Sequence, residues 1–228
     1  MALKATSPKR VKRPRKVIVT AGPTLEHIDP VRYISNKSTG LMGYSIAGEC
    51  LKKGFSVCLI SGPVSLEAPH GARVVRVITA HEMLRELTAK SVSCDCVIMA
   101  AAVCDFRPAK IEKRKIKKKD ELNIKFVKNK DIIGSLHNKK GFGKIAFALE
   151  TDNSVREAET KLKNKGFDLI VLNTVGKGAD PFGESVADYV LMAKNGEKRN
   201  FEKKNKKQIA RIIVDEASKI MERRGNEK

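Results

Sequence analysis

What most limits the fold of this chain is an alternation: short runs rich in β-branched residues recur along it, with helical stretches between them. The runs cover residues 17–20, 56–60, 72–78, 95–101, 144–149 and 168–173, and they are largely continuous in apolar residues. A short continuous apolar run marks a strand buried on both faces. The helical stretches cover 39–53, 79–91 and 153–165; the first follows Ser38 as an N-cap and stops at Gly54, and Gly166 closes the last. Alternating strands and helices build a mostly parallel sheet covered on both sides, so the expected class is α/β, doubly wound and Rossmann-like. In such sheets ligands sit beyond the carboxyl ends of the strands.

Composition narrows the alternatives. Apolar residues make up 41% of the 228, enough for a buried core. No apolar stretch approaches the roughly 18 to 20 residues of a membrane span. The first sixteen residues are basic but carry no apolar segment of the kind a secretory signal needs, so a cytoplasmic protein with no membrane partner is expected. Cys50, Cys58, Cys94, Cys96 and Cys104 form an odd set without a C-x-x-C pair, which argues against a disulfide framework or a zinc clip. They read as buried thiols.

The net charge is +20, and it is clustered. Residues 1–16 hold seven Lys or Arg and no acid, with Pro8 and Pro14, so 1–15 reads as a disordered basic arm. Residues 110–119 hold seven basic side chains against Glu112, and 194–207 hold seven against Glu197 and Glu202. Such a balance favours polyanions, whether nucleic acid or small phosphorylated substrates. For the outer two clusters a solvated surface explains the charge at least as well.

Two segments break the rhythm. The connection 21–37 far exceeds the roughly 2 to 6 residues usual between strand and helix, and a long loop at the ligand edge of a sheet is usually functional. It ends in Ser38-Thr39-Gly40-Leu41-Met42-Gly43, whose small residues suit either an anion at the helix start or close packing of helix on sheet. The second segment is 105–129. Lys115 and Lys117, then Leu122, Ile124 and Phe126, alternate about a turn at 118–121, the pattern of a two-stranded ribbon. A helix is expected after it, over 131–137. So lysine-rich a ribbon reads as a cationic flap over phosphates, at about 106–129, or as an edge hairpin kept soluble by charge.

The residues Thr20-Ala-Gly-Pro-Thr24, Asp29-Pro-Val-Arg-Tyr-Ile-Ser-Asn36, Ser38-Thr-Gly40, Ser61-Gly-Pro63, Ala100-Ala-Ala-Val-Cys-Asp-Phe106, Lys115-Ile-Lys-Lys118, Val127-Lys-Asn129 and Ala146-Phe-Ala-Leu-Glu-Thr151 together resemble phosphopantothenoylcysteine synthetase (phosphopantothenate-cysteine ligase) of the bacterial, CTP-using type. The motifs run in order from about residue 16 to 223, so one ligase domain over 16–225 is expected. The resemblance implies a ligase of coenzyme A biosynthesis. In it 4'-phosphopantothenate and CTP give an acyl-cytidylate and pyrophosphate, and L-cysteine displaces CMP to form 4'-phosphopantothenoylcysteine, with Mg2+ or another divalent cation assisting. It also implies a homodimer, with the loop near Asn36 close to the partner subunit. In many bacteria this domain is fused behind a flavin-dependent decarboxylase. About fifteen residues precede the first strand here, so phosphopantothenoylcysteine decarboxylase is expected as a separate protein.

By the same resemblance Asn36 contacts the acyl intermediate, with Arg32 on the same loop, and Lys115 is the flap lysine that closes over it. Ala101 and Asp105 match the strand end at the nucleotide. Lys130, Asp131, Ile132 and Ile133 match the adjoining loop and helix start, Phe147 a neighbour of the nucleotide, and Lys161 and Lys165 two lysines placed for its triphosphate. The metal ligands are not implied. The sequence departs from the family at Lys130, usually Pro, Ala146, usually Gly, Cys104, often Ala, and Phe106, often Tyr. Such chemistry needs activation of a carboxylate and neutralisation of phosphate charge, not a nucleophilic triad, so Cys104 reads as packing. The long first loop lacks the G-x-G-x-x-G of a nicotinamide reductase. Three Tyr and no Trp leave little for base stacking, so nucleic-acid binding would be incidental.

Overall fold

The computed structural model describes residues 13–118, 120–132, 134–136, 141–150, 154–174 and 185–226. Nearly all of the basic arm, Ile133 and His137 lie outside them. In chain order the strands and helices are β1 (Lys16–Ala21), β2 (Leu25–His27), β3 (Tyr33–Ser35), α1 (Leu41–Lys52), β4 (Ser56–Ser61), β5 (Arg73–Arg76), α2 (Ala80–Lys90), β6 (Cys96–Met99), β7 (Phe106–Pro108), β8 (Phe126–Lys128), β9 (Gly143–Glu150), α3 (Ser154–Asn164), β10 (Leu169–Thr174), β11 (Ala187–Ala193), β12 (Lys198–Lys204) and α4 (Lys206–Asn226).

The main sheet has eight strands in the order β12-β11-β10-β9-β6-β1-β4-β5. From β5 to β10 all pairs are parallel, and β11 and β12 add antiparallel neighbours at one edge. Counted along the chain, the six parallel strands lie in the order third, second, first, fourth, fifth, sixth, the doubly wound arrangement. Because the strands are buried on both faces, alternate residues feed opposite layers. Val17, Val19 and Ala21 of β1 pack with α1 and α4, whereas Ile18 packs on the other face with Met83 and Leu87 of α2. Ala158 and Leu162 of α3 join Ala146, Ala148, Ile170 and Leu172 on that second face.

Gly43 fixes how closely α1 sits on the sheet. A Cβ there would lie 2.5 Å from the Cβ of Ala21, so of the two readings of this glycine the structure gives close packing. The N-cap of α1 is Gly40 and not Ser38 as expected; its φ of 78° is a left-handed conformation that glycine adopts freely, and it brings no side-chain cap.

Two further expectations need correction. The ribbon exists, but its paired strands are β7 and β8, in register Phe106↔Lys128 to Pro108↔Phe126. The lysines at 115 and 117 do not pair with 122–126. Instead the middle of the excursion leans on the first long loop: Glu112 N–H donates to Ile28 O at 2.9 Å and Ile116 N–H to Asp29 Oδ2 at 3.1 Å. Long-range backbone partners of this kind outcompete the weak pairing of an exposed, lysine-rich hairpin. After β8, the described part of 131–137 holds a single 3-10 turn, Gly134–Leu136, in place of a helix.

Candidate functional site

The parallel strands change direction of growth at β1: β4 and β5 lie to one side and β6, β9 and β10 to the other. The connections leaving β1 and β6 therefore diverge and open a crevice at the carboxyl edge. They are stitched together at its base. Thr24 N–H donates to Ala102 O at 3.3 Å, and Cys104 N–H to Thr24 Oγ1 at 3.0 Å. Asn36 reaches across with its amide, Nδ2 donating to Val103 O at 2.9 Å.

A cavity of about 610 Å3 opens there. Asn36, Ser38 to Met42 at the start of α1, Ala100 to Val103 and Asp105 after β6, Phe147, Lys161, Asn173, Tyr189 and Lys206 line it. A second cavity of about 280 Å3 continues it, sharing Ala101, Asp105, Phe147 and Lys161, and is walled further by Lys130, Asp131, Ile132 and Lys165. Eight separate segments of the chain thus supply one trough. Of the residues expected at the site, the structure brings Asn36, Ala101, Asp105, Lys130, Asp131, Ile132, Phe147, Lys161 and Lys165 to its walls. Ile133 lies outside the described residues.

Their partners refine this placement. Lys165 Nζ lies 2.7 Å from Asp131 Oδ2, while Gly134 N–H donates to Asp131 Oδ1 at 3.0 Å. The lysine and the aspartate expected near one nucleotide are therefore an ion pair. Ile132 is buried in the α2-side core, so it shapes the wall by packing.

Arg32 and Lys115 stand elsewhere. Arg32 pairs with Asp29 at 2.9 Å and donates to Ile116 O at 2.6 Å, so its guanidinium clasps the lysine-rich excursion to the long loop. Asp29 has no exposure. Burial acts to raise its pKa, but the N–H groups of Val31, Ile116 and Arg32 and the guanidinium outweigh it, holding the carboxyl below the usual range. Lys115, next to the clasp, is exposed and lines neither cavity. Cys104 is packed as expected, its thiol donating to Thr24 O at 3.5 Å and its pKa pushed up by burial.

Among the wall residues that were not expected, three are polar and come from the far side of the sheet. Asn173 is the last residue but one of β10, Tyr189 lies in antiparallel β11, and Lys206 starts α4. A polar residue at the carboxyl end of an apolar run was a signal for Asn173. Nothing local marks Tyr189 or Lys206, which the edge strands carry to the site.

Comparison with known proteins bears on this trough. Residues 13–221 match the family described as the DNA/pantothenate metabolism flavoprotein C-terminal domain. The chain is 42% identical over 204 residues to the coenzyme A biosynthesis bifunctional protein CoaBC of Haemophilus influenzae, covering 88% of this chain and 50% of that one. Against the CoaBC of Bacillus subtilis it is 37% identical over 214 residues, 92% of this chain and 53% of the other. It thus spans about half the length of the curated relatives it matches. The crystal structure of the C-terminal domain of a CoaBC superposes with a TM-score of 0.79 at 33% identity, over 91% of this chain and 96% of that one. A Cab2 variant in complex with phosphopantothenate-cysteine superposes at 0.76 over 93% of this chain and 88% of its own; at 17% identity it shares the fold.

Proposed function

The chain belongs to the DNA/pantothenate metabolism flavoprotein C-terminal domain family, and from that premise we propose that it is a phosphopantothenate-cysteine ligase of coenzyme A biosynthesis. In this reading CTP activates the carboxylate of 4'-phosphopantothenate as an acyl-cytidylate, releasing pyrophosphate, and the amine of L-cysteine displaces CMP. Support comes from the names of the CoaBC relatives and from one observation in particular. Asn36, the start of α1 and the strand end from Ala101 to Asp105 share a single cavity that runs on past Phe147 to Lys161 and Lys165.

Each group suits such chemistry. An amide NH2 has two protons; Val103 O takes one from Asn36, and the other is available to an acyl oxygen. Lysines and an open helix start stabilise phosphate charge as pyrophosphate departs. Lys115 enters this scheme only when the excursion swings over the trough, since its resting place is outside. Closure would also keep water from the mixed anhydride. A divalent cation would assist by drawing charge from the phosphates. Asp105, the carboxylate that lines both cavities, suits the hydroxyls of the ribose.

We extend the proposal to a homodimer. Val31, Tyr33 and Ile34 on the first loop and hairpin, with Phe106 and Ile111 on the neighbouring excursion, are large apolar side chains left exposed, and a patch of that kind marks an association surface. Phosphopantothenoylcysteine decarboxylase, which would consume the product, is the expected functional partner. Among the described residues no helix is long and apolar enough to cross a membrane. The deciding experiment is pyrophosphate release with 4'-phosphopantothenate, run with CTP and with ATP, each with and without cysteine. We expect release with CTP and amide formation only with cysteine; no release with either nucleotide would overturn the reading.

A further inference from the structure

Two tyrosines point into the layer between the sheet and the α1/α4 pair, and they differ in one respect. Tyr44, 5% exposed, shares a hydrogen bond of 3.0 Å with Ser61 Oγ. Tyr189, 1% exposed, has no partner for its hydroxyl among the described residues, and the residue lines the larger cavity. Directly opposite it across the β10/β11 ladder is Asn173, 9% exposed, whose Oδ1 likewise has no partner among the described residues and which lines the same cavity. Opposed residues of an antiparallel pair project from one face of the sheet. Of these two atoms Asn173 Oδ1 can only accept, so the Tyr189 hydroxyl is the one that can donate to an anion.

A buried hydroxyl without a partner has given up its hydration for nothing in return, so it calls for an occupant. The surroundings give that occupant its chemistry. Lys206, itself buried, and Lys37 line the same cavity, with the hydroxyl-bearing Ser38 and Thr39. The start of α1 faces it with Gly40 at the cap and no side-chain cap. These groups donate hydrogen bonds or carry positive charge, which suits phosphoryl oxygens. Burial also pushes the Tyr189 phenol up to about 12, which keeps its proton in place to donate.

We propose that Tyr189 is a binding residue for the phosphate chain of the nucleotide, its hydroxyl satisfied only when a phosphoryl oxygen occupies the inner wall of the larger cavity. This rests on the reading that a nucleotide enters the trough, and it adds a contact from the antiparallel edge of the sheet.

The test uses the full chain and the variants Tyr189→Phe and Tyr44→Phe, with tripolyphosphate, CTP and cytidine as probes in calorimetric titrations and melting curves. Tyr189→Phe should melt no lower than the parent, because it deletes an unmet hydroxyl. Tyr44→Phe should melt lower, because it deletes a bonded one and leaves Ser61 Oγ only its bond to Gly62 O at 2.8 Å. Tyr189→Phe should bind tripolyphosphate and CTP about 10-fold or more weakly, the effect of losing a hydrogen bond to a charged group, with cytidine unchanged. Equal affinity of parent and Tyr189→Phe for tripolyphosphate overturns the proposal. So does a loss confined to cytidine, or a parent that binds no tripolyphosphate. The ligase reading stands or falls separately, on pyrophosphate release by the parent.

Discussion

Two helices begin on the carboxyl side of the same sheet, and they begin differently. The start of α2 is fully dressed. Thr79 Oγ1 accepts from Glu82 N–H at 3.2 Å, Glu82 Oε2 accepts from Ile78 and Thr79 N–H at 2.7 and 3.4 Å, and buried Glu26 takes Ala80 N–H at 2.8 Å. The start of α1 has Gly40 where a capping side chain would stand, and Leu41 N–H reaches Thr39 Oγ1 only at 3.4 Å. Both ends carry the same partial positive charge and the same orphan N–H groups. At α2 side chains neutralise them, so that end contributes stability; at α1 they face a cavity, so that end is open to a ligand. The difference separates residues that hold the fold from residues that do chemistry, and each can be removed without the other.

The sharpest break is expected on the open side. Asn36→Ala removes an exposed loop amide and should leave the melting temperature nearly unchanged, yet ligase turnover should fall on the order of 10²-fold or more, the scale for a lost polarising donor. Near-normal turnover in a folded variant would show that the amide serves only to tie the loop to Val103.

Next comes the excursion. Should Lys115 act at short range once the excursion closes, Lys115→Gln should lose on the order of 10²-fold, chiefly in the cysteine half-reaction, with acyl-cytidylate accumulating in a quench-flow trace. Lys117→Gln, which removes the same charge from the same segment, should lose far less. Equal small losses would leave the excursion as an electrostatic lid.

How much of this contrast was legible beforehand follows from where each interaction comes from. Most of the parallel strands could be read because burial on both faces writes itself as a continuous apolar run, whereas β5, Arg73–Arg76 at the sheet edge, is only half-buried or exposed. β12 could not: Lys198–Lys204 alternates half-buried and exposed residues in a charged edge strand, which in sequence looks like a cluster of lysines. α4 carried a signal that went unread, since Ile209, Ile213, Ala217, Ile220 and Met221 recur at helical spacing. At the site, Asn36 and the strand end at Ala101 to Asp105 were recognisable because ordered motifs contain them. Tyr189 and Lys206 were not, because only the sheet order brings the antiparallel edge to the trough. The clasp of Arg32 on Ile116 was equally hidden, being a contact between residues 84 apart.

On the closed side the larger effect belongs to Glu26. Glu26→Ala leaves the buried Ala80 N–H without its acceptor, which should destabilise by about 1 to 3 kcal/mol, whereas Glu26→Gln retains an acceptor oxygen and should recover much of that. Denaturant melts of the two variants make the comparison. If both lose stability equally, the carboxylate's charge matters more than the hydrogen bond.

The smallest effect is the most specific test of the contrast. Thr79→Ala removes one half of the capping box and leaves the Glu82 side chain able to bond Ile78 N–H. N-cap losses of this kind are about 1 kcal/mol, which for a domain of this size lowers the melting temperature by about 2 to 4 °C. α2 contributes no residue to the wall of either cavity, so the further rise in melting temperature that CTP induces should be the same in Thr79→Ala as in the parent. Thr79→Ser should restore the melting temperature, because its hydroxyl can accept from Glu82 N–H in the same way. A Thr79→Ala protein that melts normally would mean that the capping box does not stabilise α2. One that melts lower and also loses its response to CTP would couple the two helix starts, and the division between holding the fold and binding the ligand would fail.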